Sequence, residues 1–437
     1  MSNIIYAGYG KENITPDFPV CLAGYGNDII RPAMGVEQQI YVTCVAVRNE
    51  EKTFLIYTMD GLSAHESIAA ILREKLQEAG CDVPADQIFL AATHCHSCPR
   101  IYLGTPGAEE FRELFFSQAV KAGLNAIADL APAQMQLAQK DCVDLTFVRH
   151  YLMKDGSWAG INFGKLVRSE IADYATKADN TMIMLKFARE GKQDIMMLNF
   201  QAHPALSYQI GRYIISADWV GRMRDQVAKE TGALVAYYNG ASGNQITRSF
   251  LVPGAEPLWF KYAEMVAEHA LSLVPQLKPI EGTQMENVHL MYETEIDHTM
   301  DHLVPQCEEI ADMYQKQGRK DEADQKAWAL GLGSCYVAGM IVMRAAKPKT
   351  AMREMNAFRI GPIGFTTGTY EMSSDAGIFV RKHSPFDTTF VLCANSGYIP
   401  TANAIDNHTY EGDTTMEIRG TAEAMAEKYV EMLRKIK

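Results

Sequence analysis

"TFLIYTMDGLSAHESIAAILREKLQEAGCDVPADQIFLAATH" occupies residues 53–94, and its reading decides the fold class. Residues 53–60 and 87–94 are short, nearly all apolar and rich in β-branched and aromatic side chains, the pattern of strands buried on both faces. Between them, 62–79 carries its apolar residues at helical spacing. The alternation continues outward. Strand-like runs recur at 40–47, 181–188, 194–201, 233–239 and 388–395, and helix-like stretches at 109–130, 217–231, 257–273 and 416–435. Alternating elements of this kind predict an α/β fold of mixed, layered sheets flanked by helices. The segment 297–346 departs from the pattern: it is charged, contains methionines and is helical in spacing, with "EEIADMYQKQGRKDEADQKAWALG" (308–331) reading as a helical hairpin. No repeat, low-complexity tract or proline-rich linker interrupts the chain, so 1–437 reads as a single large domain with 297–346 as an excursion from it.

The bulk composition narrows the function. Of 437 residues, 47% are hydrophobic and 22% charged, which predicts an ordered chain throughout. A formal net charge of −12 leaves no basic field to attract nucleic acid, so the expected partner is a small molecule. No window approaches 18 uninterrupted apolar residues, and no integral membrane segment is expected. The first residues lack a basic stretch followed by an apolar run, and the nine cysteines show no regular spacing. Both features predict a reducing, cytoplasmic setting. A homo-oligomer is compatible with this composition.

Four apolar runs end in a residue able to do chemistry: Asp60, His94, His203 and Asn239. In open α/β sheets ligands bind beyond the carboxyl ends of the strands, so these endings are expected to converge. "THCHSCP" (93–99) adds a further imidazole, His96. Side chains on a strand alternate with a period of two, which puts His94 and His96 on one side and Cys95 on the other. With His203 the count reaches three, and a catalytic zinc ion commonly takes three protein ligands and keeps a position for water. Hydrogen bonding of these histidines to a loop is the alternative that the residues leave open. Cys95 and Cys98 form a C-x-x-C pair, but Pro99 follows at once with no helix start, so packing as small hydrophobes is preferred to redox chemistry. His298 and His302 could share a helix face and a second metal, a solvated surface being the plainer reading. His65 stands near a helix start, where its role is structural.

The segments "YGKENITPDFPVCLAGYG" (9–26), "THCHSCP" (93–99), "LNFQAHP" (198–204), "SADW" (216–219), "IGPIGFTTGTYEMSSDAG" (360–377) and "GYIPTANAIDNHTYEG" (397–412) stand in this order along the chain. In order and spacing they resemble the neutral, or alkaline nonlysosomal, ceramidase family. The resemblance runs from residue 4 to about 435 and covers that family's amidase domain, not its immunoglobulin-like C-terminal domain. It implies a zinc-hydrolase-like fold and one zinc ion held by His94, His203, Glu371 and Tyr398. It also implies that His96, Arg149 (in "FVRHYLMKDG", 147–156) and Tyr410 face a substrate carbonyl. Two imidazoles, a carboxylate and a phenol are acceptable nitrogen and oxygen ligands for zinc. Asp60 and Asp218 are assigned to orienting the histidines or an arginine. A helix N-cap after a strand is their other reading.

The chain also departs from that family. Its G-D-x-S-P segment, with a serine to which a catalytic role is assigned, corresponds here to "GNQIT" (243–247), so Ile246 replaces the hydroxyl and Asn244 the aspartate. A serine nucleophile is excluded at that position, and Ser242 nearby lies in no G-x-S-x-G elbow. Glu37 stands where the family has a histidine beside the site, and Arg100 where glycines are usual. Asn239, Ile246 and Glu37 are expected to line the substrate pocket. Zinc lowers the pKa of bound water from 15.7 toward ~7, so a nucleophile is available without serine. The expected function is zinc-dependent hydrolysis of a carbon–nitrogen bond in a small or cyclic amide rather than in a membrane ceramide. An esterase or lactonase, a ligand-binding member without activity, and a redox protein built on Cys95 and Cys98 are the alternatives.

Overall fold

The computed structural model describes residues 4–25, 31–161, 163–252, 258–368, 370–393 and 397–437. Gly26, Pro257, Thr369, Ala394 and Asn395, which belong to segments named above, lie outside the described residues. The opening stretch folds as its pattern dictates: strand Thr53–Met59, helix Glu66–Glu78 and strand Ile88–Ala92. The two strands pair in parallel, which antiparallel hairpins cannot do and a helical crossover can. A second such unit links Ile195–Phe200 to Leu234–Asn239, also in parallel, through helix Asp218–Thr231.

These two units are the opposite ends of one sheet, which among the described residues has nine strands. Its order is Leu234–Asn239, Ile195–Phe200, Thr181–Arg189, Ala131–Asp141, Ile5–Asn13, Tyr41–Arg48, Thr53–Met59 and Ile88–Ala92, with Lys278–Pro279 beside Ala131–Asp141. Every pairing between the two ends is antiparallel. The sheet curves until its ends meet: the Tyr238 hydroxyl donates to the Ile56 carbonyl at 2.8 Å, and the Thr58 hydroxyl to the Tyr237 carbonyl at 2.8 Å. A second sheet, Met285–Glu295, Thr350–Ile360, Ile363–Gly368 and Thr388–Cys393, covers one face. Between the sheets Phe89 stacks on Phe358 at 4.0 Å, and Phe365 continues the stack at 4.7 Å.

Alternate residues of each strand serve alternate layers. Cys44, Leu55, Tyr57 and Leu90 pack on helices Glu66–Glu78 and Ala108–Ala128, whereas Val45, Ile56, Phe89 and Ala91 face the second sheet. Met184, Leu198 and Tyr237 pack on helices Asp218–Thr231 and Trp259–Leu273. Helices Ser374–His383 and Thr421–Lys435 cover the outer face of the second sheet. The architecture is therefore four layers, helices, sheet, sheet, helices, as the mixed, layered α/β expectation requires.

Four long strands escaped the sequence reading: Ile5–Asn13, Ala131–Asp141, Met285–Glu295 and Thr350–Ile360. Ile5–Asn13 contains Gly8 and Gly10, which ordinarily argue against a strand. They are there because helix Ala108–Ala128 lies directly on them: a Cβ would stand 2.0 Å from the Ala126 carbonyl at Gly8 and 1.9 Å from the Ala122 carbonyl at Gly10. Ala131–Asp141 and Met285–Glu295 are half exposed and carry Gln, Lys, Glu and Asn on their open side. The excursion contains the expected hairpin, Val304–Gln315 and Lys320–Ala329, and a third helix, Cys335–Ala345, around an apolar cluster of its own. Among the described residues no helix is long and apolar enough to cross a membrane.

Candidate metal centre

The Ile88–Ala92 strand stops two residues before His94, whose backbone is left-handed, with φ 66°. His94 and His96 therefore converge through a turn and not through strand alternation, which corrects the expected reason for their meeting. Their Nε2 atoms lie 3.2 Å apart. Gly24 is pressed against His96, where a Cβ would stand 2.6 Å from the His96 Cα. Cys95 turns the other way, as expected: its thiol and that of Cys98 both point at the Ser216 carbonyl, at 2.9 and 3.6 Å. Both are free, fully buried thiols, and burial together with Cys95 raises the Cys98 thiol well above its ordinary range.

His203 follows strand Ile195–Phe200, and its ring stands 4.6 Å from that of His94. One ring nitrogen from each of His94, His96 and His203 lies within 4.8 Å of the other two. A carbonyl only accepts, so His94 Nδ1 donates to Leu62 O at 2.9 Å, and His203 Nδ1 donates to Gln245 O at 2.9 Å. Each Nε2 is thereby aimed inward. Burial first, then His94 and Arg149, holds the His203 imidazole well below its ordinary pKa, so its Nε2 carries a lone pair.

Glu371 completes the cluster. Its Oε2 lies 3.3 Å from His94 Nε2 and 3.6 Å from His203 Nε2. His203 Nε2 and Glu371 Oε2 are both buried acceptors without a hydrogen-bond partner. Two such acceptors facing each other are unfavourable unless a cation stands between them. Zinc bonds of 2.0–2.1 Å in tetrahedral geometry put ligand atoms about 3.3 Å apart. The residues present thus fit a divalent ion. Glu371 and Tyr398 are register partners in a short parallel ladder, so the phenol stands beside the carboxylate. Burial first, and then Glu371, pushes the Tyr398 phenol up, while Arg149 opposes the rise.

Arg149 is clamped. It donates to Glu411, to the Gly243 carbonyl at 3.0 Å and to the Tyr398 hydroxyl at 3.1 Å. The other Glu411 oxygen meets His150 Nε2 at 2.7 Å. Tyr410, the first residue of the short helix Tyr410–Thr414, sets its ring edge-on to Tyr398 at 5.8 Å. A cavity of about 350 Å³ opens here, lined among others by Tyr25, Phe163, His203, Tyr208, Ile246 and Tyr410, with Arg149 at its wall.

Of the residues expected to line it, Ile246 does. Asn239 does not: it is fully buried and donates to Ser242 at 2.9 Å, a structural bond between strand and turn. Nor does Glu37, which accepts from Arg222 at 2.8 Å and Ser216 at 3.1 Å in a separate groove. Asp60 and Asp218 touch no imidazole. Asp60 holds Arg224 at 2.6 Å and the Tyr41 amide at 2.9 Å, and Asp218 accepts from the Ser207 and Trp219 amides. Backbone carbonyls of Leu62 and Gln245 do the orienting instead. His65 caps helix Glu66–Glu78 by accepting from the Ser67 amide, and His298 pairs with Asp301. The sequence reading missed Glu411 and Gly24, of which only Glu411 sits beside a residue that it named.

Four layers with an imidazole–carboxylate centre beyond the strand ends define a layered α/β protein built around a metal-type site. Its fold is the neutral ceramidase fold. The chain is similar to neutral ceramidase from Pseudomonas aeruginosa with a TM-score of 0.74 and 16% identity, over 99% of this chain and 74% of that one. It is similar to a ceramidase complexed with C2 with a TM-score of 0.72 and 17% identity, over 100% of this chain and 76% of that one. No family model and no curated protein sequence matches it. The resemblance drawn from six short segments is thereby borne out in the fold.

Proposed function

We propose that the protein is a zinc-dependent hydrolase that cleaves the carbon–nitrogen bond of a small or cyclic amide. One observation carries this reading: the buried, unpartnered His203 Nε2 and Glu371 Oε2 face each other beside His94, at the wall of a cavity. The fold shared with two ceramidases supports it. His94, His203, Glu371 and Tyr398 would hold one zinc ion. When bound, zinc supplies a water acidified from 15.7 toward ~7 and polarises a carbonyl oxygen.

The remaining roles belong to the chain. Tyr410 and Arg149 face the carbonyl oxygen and stabilise the negative charge that develops on it. Glu411 fixes the Arg149 guanidinium, so that its orientation costs nothing at the moment of reaction. His96, kept neutral because burial, His94 and Arg149 hold its pKa well below the ordinary value, is free to accept the proton that the attacking water gives up and to hand it to the leaving nitrogen. Ile246 offers no hydroxyl, so no acyl-enzyme forms there. About 350 Å³ is near the lower end of ligand pockets, which suits a compact substrate better than a two-chain lipid.

The test is metal analysis combined with a substrate panel. Wild-type protein is expected to hold one zinc ion, and His94→Ala and His203→Ala to lose both metal and turnover. Tyr410→Phe and Arg149→Ala are expected to lower kcat by ~10²–10³ with zinc retained. Equal zinc content in wild type and His94→Ala would overturn the ligand set. Amides, lactams and esters presented in parallel decide the bond, and zinc-loaded protein inert to all of them would leave a ligand-binding protein.

A further inference from the structure

The turn that lacks the serine ties the centre together. Gly243, Asn244 and Gln245 offer three successive backbone carbonyls to the site. Gly243 O accepts from the Arg149 guanidinium at 3.0 Å, Asn244 O from the Arg149 amide at 2.9 Å, and Gln245 O from His203 Nδ1 at 2.9 Å. The same turn grips the segment that follows Glu371. The Gly243 amide donates to the Met372 carbonyl at 2.9 Å, and Asn244 Oδ1 accepts from the Ser374 amide at 2.8 Å. On its other side the Glu371 amide donates to the Gly397 carbonyl at 2.7 Å, next to the ladder with Tyr398. Asn244 and Ser374 are both fully buried. Ser374 opens helix Ser374–His383, so its amide has no partner within the helix. Ser373, just before it, is the residue type that ordinarily supplies a cap, yet its side chain makes no capping bond. The acceptor comes instead from Asn244, 130 residues away.

We propose that Asn244 is a positioning residue that, by holding the Ser374 amide, fixes the Glu371 carboxylate toward His94 and His203. The inference rests on the proposed function, in which Glu371 is a zinc ligand. Only Met372 and Ser373 separate Glu371 from the held amide, so little slack remains between the bond and the carboxylate. The turn lies close against this segment: a Cβ at Gly243 would stand 3.1 Å from the Glu371 carbonyl. Because the Asn244 backbone also carries the Arg149 amide, one residue sets a metal-type ligand and the guanidinium relative to each other. What the position requires is an acceptor oxygen, which asparagine and aspartate both offer and alanine and leucine do not. The segment that lost a serine is thus retained as the support of the carboxylate.

The experiment measures zinc affinity of the full chain by competition with a chromogenic chelator, and so needs no turnover. Asn244→Ala is expected to weaken zinc binding about tenfold, the lower end of what losing a hydrogen bond behind a metal ligand costs. Asn244→Asp keeps an acceptor for the same amide and should stay within about threefold of wild type. In a Glu371→Gln background Asn244→Ala should cause no further loss, because Asn244 acts only through Glu371. Should Asn244→Ala not fold, Asn244→Leu fills the same space without an acceptor and carries the same test. The Tm of the chelator-stripped proteins separates support of the fold from support of the site. A lowered Tm in Asn244→Ala with wild-type zinc affinity makes the residue merely structural and overturns the proposal, as do losses that add in the double variant. Either result leaves the hydrolase reading standing as long as the wild type binds zinc. A wild type that binds no zinc rejects that reading, and the positioning role with it.

Discussion

At His94 the chain accepts a left-handed backbone, φ 66°, in a residue that has a Cβ. Such a conformation costs roughly 1–2 kcal/mol and survives only where its surroundings fix it, here the Leu62 carbonyl and the neighbouring imidazoles. The sequence named His94, His96 and His203 because imidazoles after apolar runs are conspicuous. It did not name what aims them, since a backbone carbonyl has no side-chain signature. Glu411 was passed over for a related reason: nothing in "TYEG" says that its carboxylate turns back onto Arg149 and His150. Burial alone would raise that carboxyl, but the Arg149 guanidinium and His150 outweigh it and hold it down to about 2. A carboxylate depressed in the folded state contributes stability that is complete above its unfolded pKa, about 4.3, and fades as pH falls toward the folded value. Urea midpoints of the wild type are therefore expected to drop as pH falls from 4.5 toward 2.5. Glu411→Gln should flatten part of that drop and cost about 3 kcal/mol at pH 7, because it leaves Arg149 buried without its partner. The same acid dependence in both proteins would remove Glu411 from this role.

Among the elements, the two parallel pairs were the most legible, because a strand–helix–strand pattern with wholly apolar strands has few other solutions. The antiparallel middle of the sheet was the least. Of its strands, Tyr41–Arg48 and Thr181–Arg189 are apolar and legible, but Ala131–Asp141 is half exposed and Ile5–Asn13 contains glycines that propensity assigns to turns. The glycines are explained only by the helix Ala108–Ala128 lying on them, a tertiary fact. That contact yields a direct comparison. Gly10→Ala puts a methyl group 1.9 Å from a backbone carbonyl that cannot rotate away, so strand and helix must separate. Overpacking of this kind costs ~1–3 kcal/mol or more. Gly80→Ala, at φ 81° with nothing within 4 Å of the new carbon, bears only the backbone strain. That strain is on the order of 1 kcal/mol. Urea unfolding should place Gly10→Ala well below Gly80→Ala, and equal losses would mean that the helix is not seated on the strand.

At the scale of the molecule, the centre joins parts that the chain keeps far apart. His94 and His203 come from the two ends of the nine-stranded sheet, and Glu371 follows strand Ile363–Gly368 of the second sheet. The proposed ion, held by all three, would link the sheets at the strand ends, while the Phe89, Phe358 and Phe365 stack joins them through the core. Binding that the unfolded chain cannot match raises stability by RT ln(1 + [L]/Kd), about 4.1 kcal/mol at a thousandfold excess over Kd. Zinc-loaded protein should therefore unfold at a higher temperature than chelator-stripped protein, by an amount that grows with free zinc. Phe358→Ala separates this linkage from core packing. Loss of a buried phenylalanine costs ~3–5 kcal/mol, and it should lower the Tm of both forms while leaving the zinc-dependent increment intact. Glu371→Gln should do the reverse, sparing the stripped form and shrinking the increment. A Tm indifferent to zinc in the wild type would mean that the facing acceptors at His203 and Glu371 are satisfied by something other than an ion.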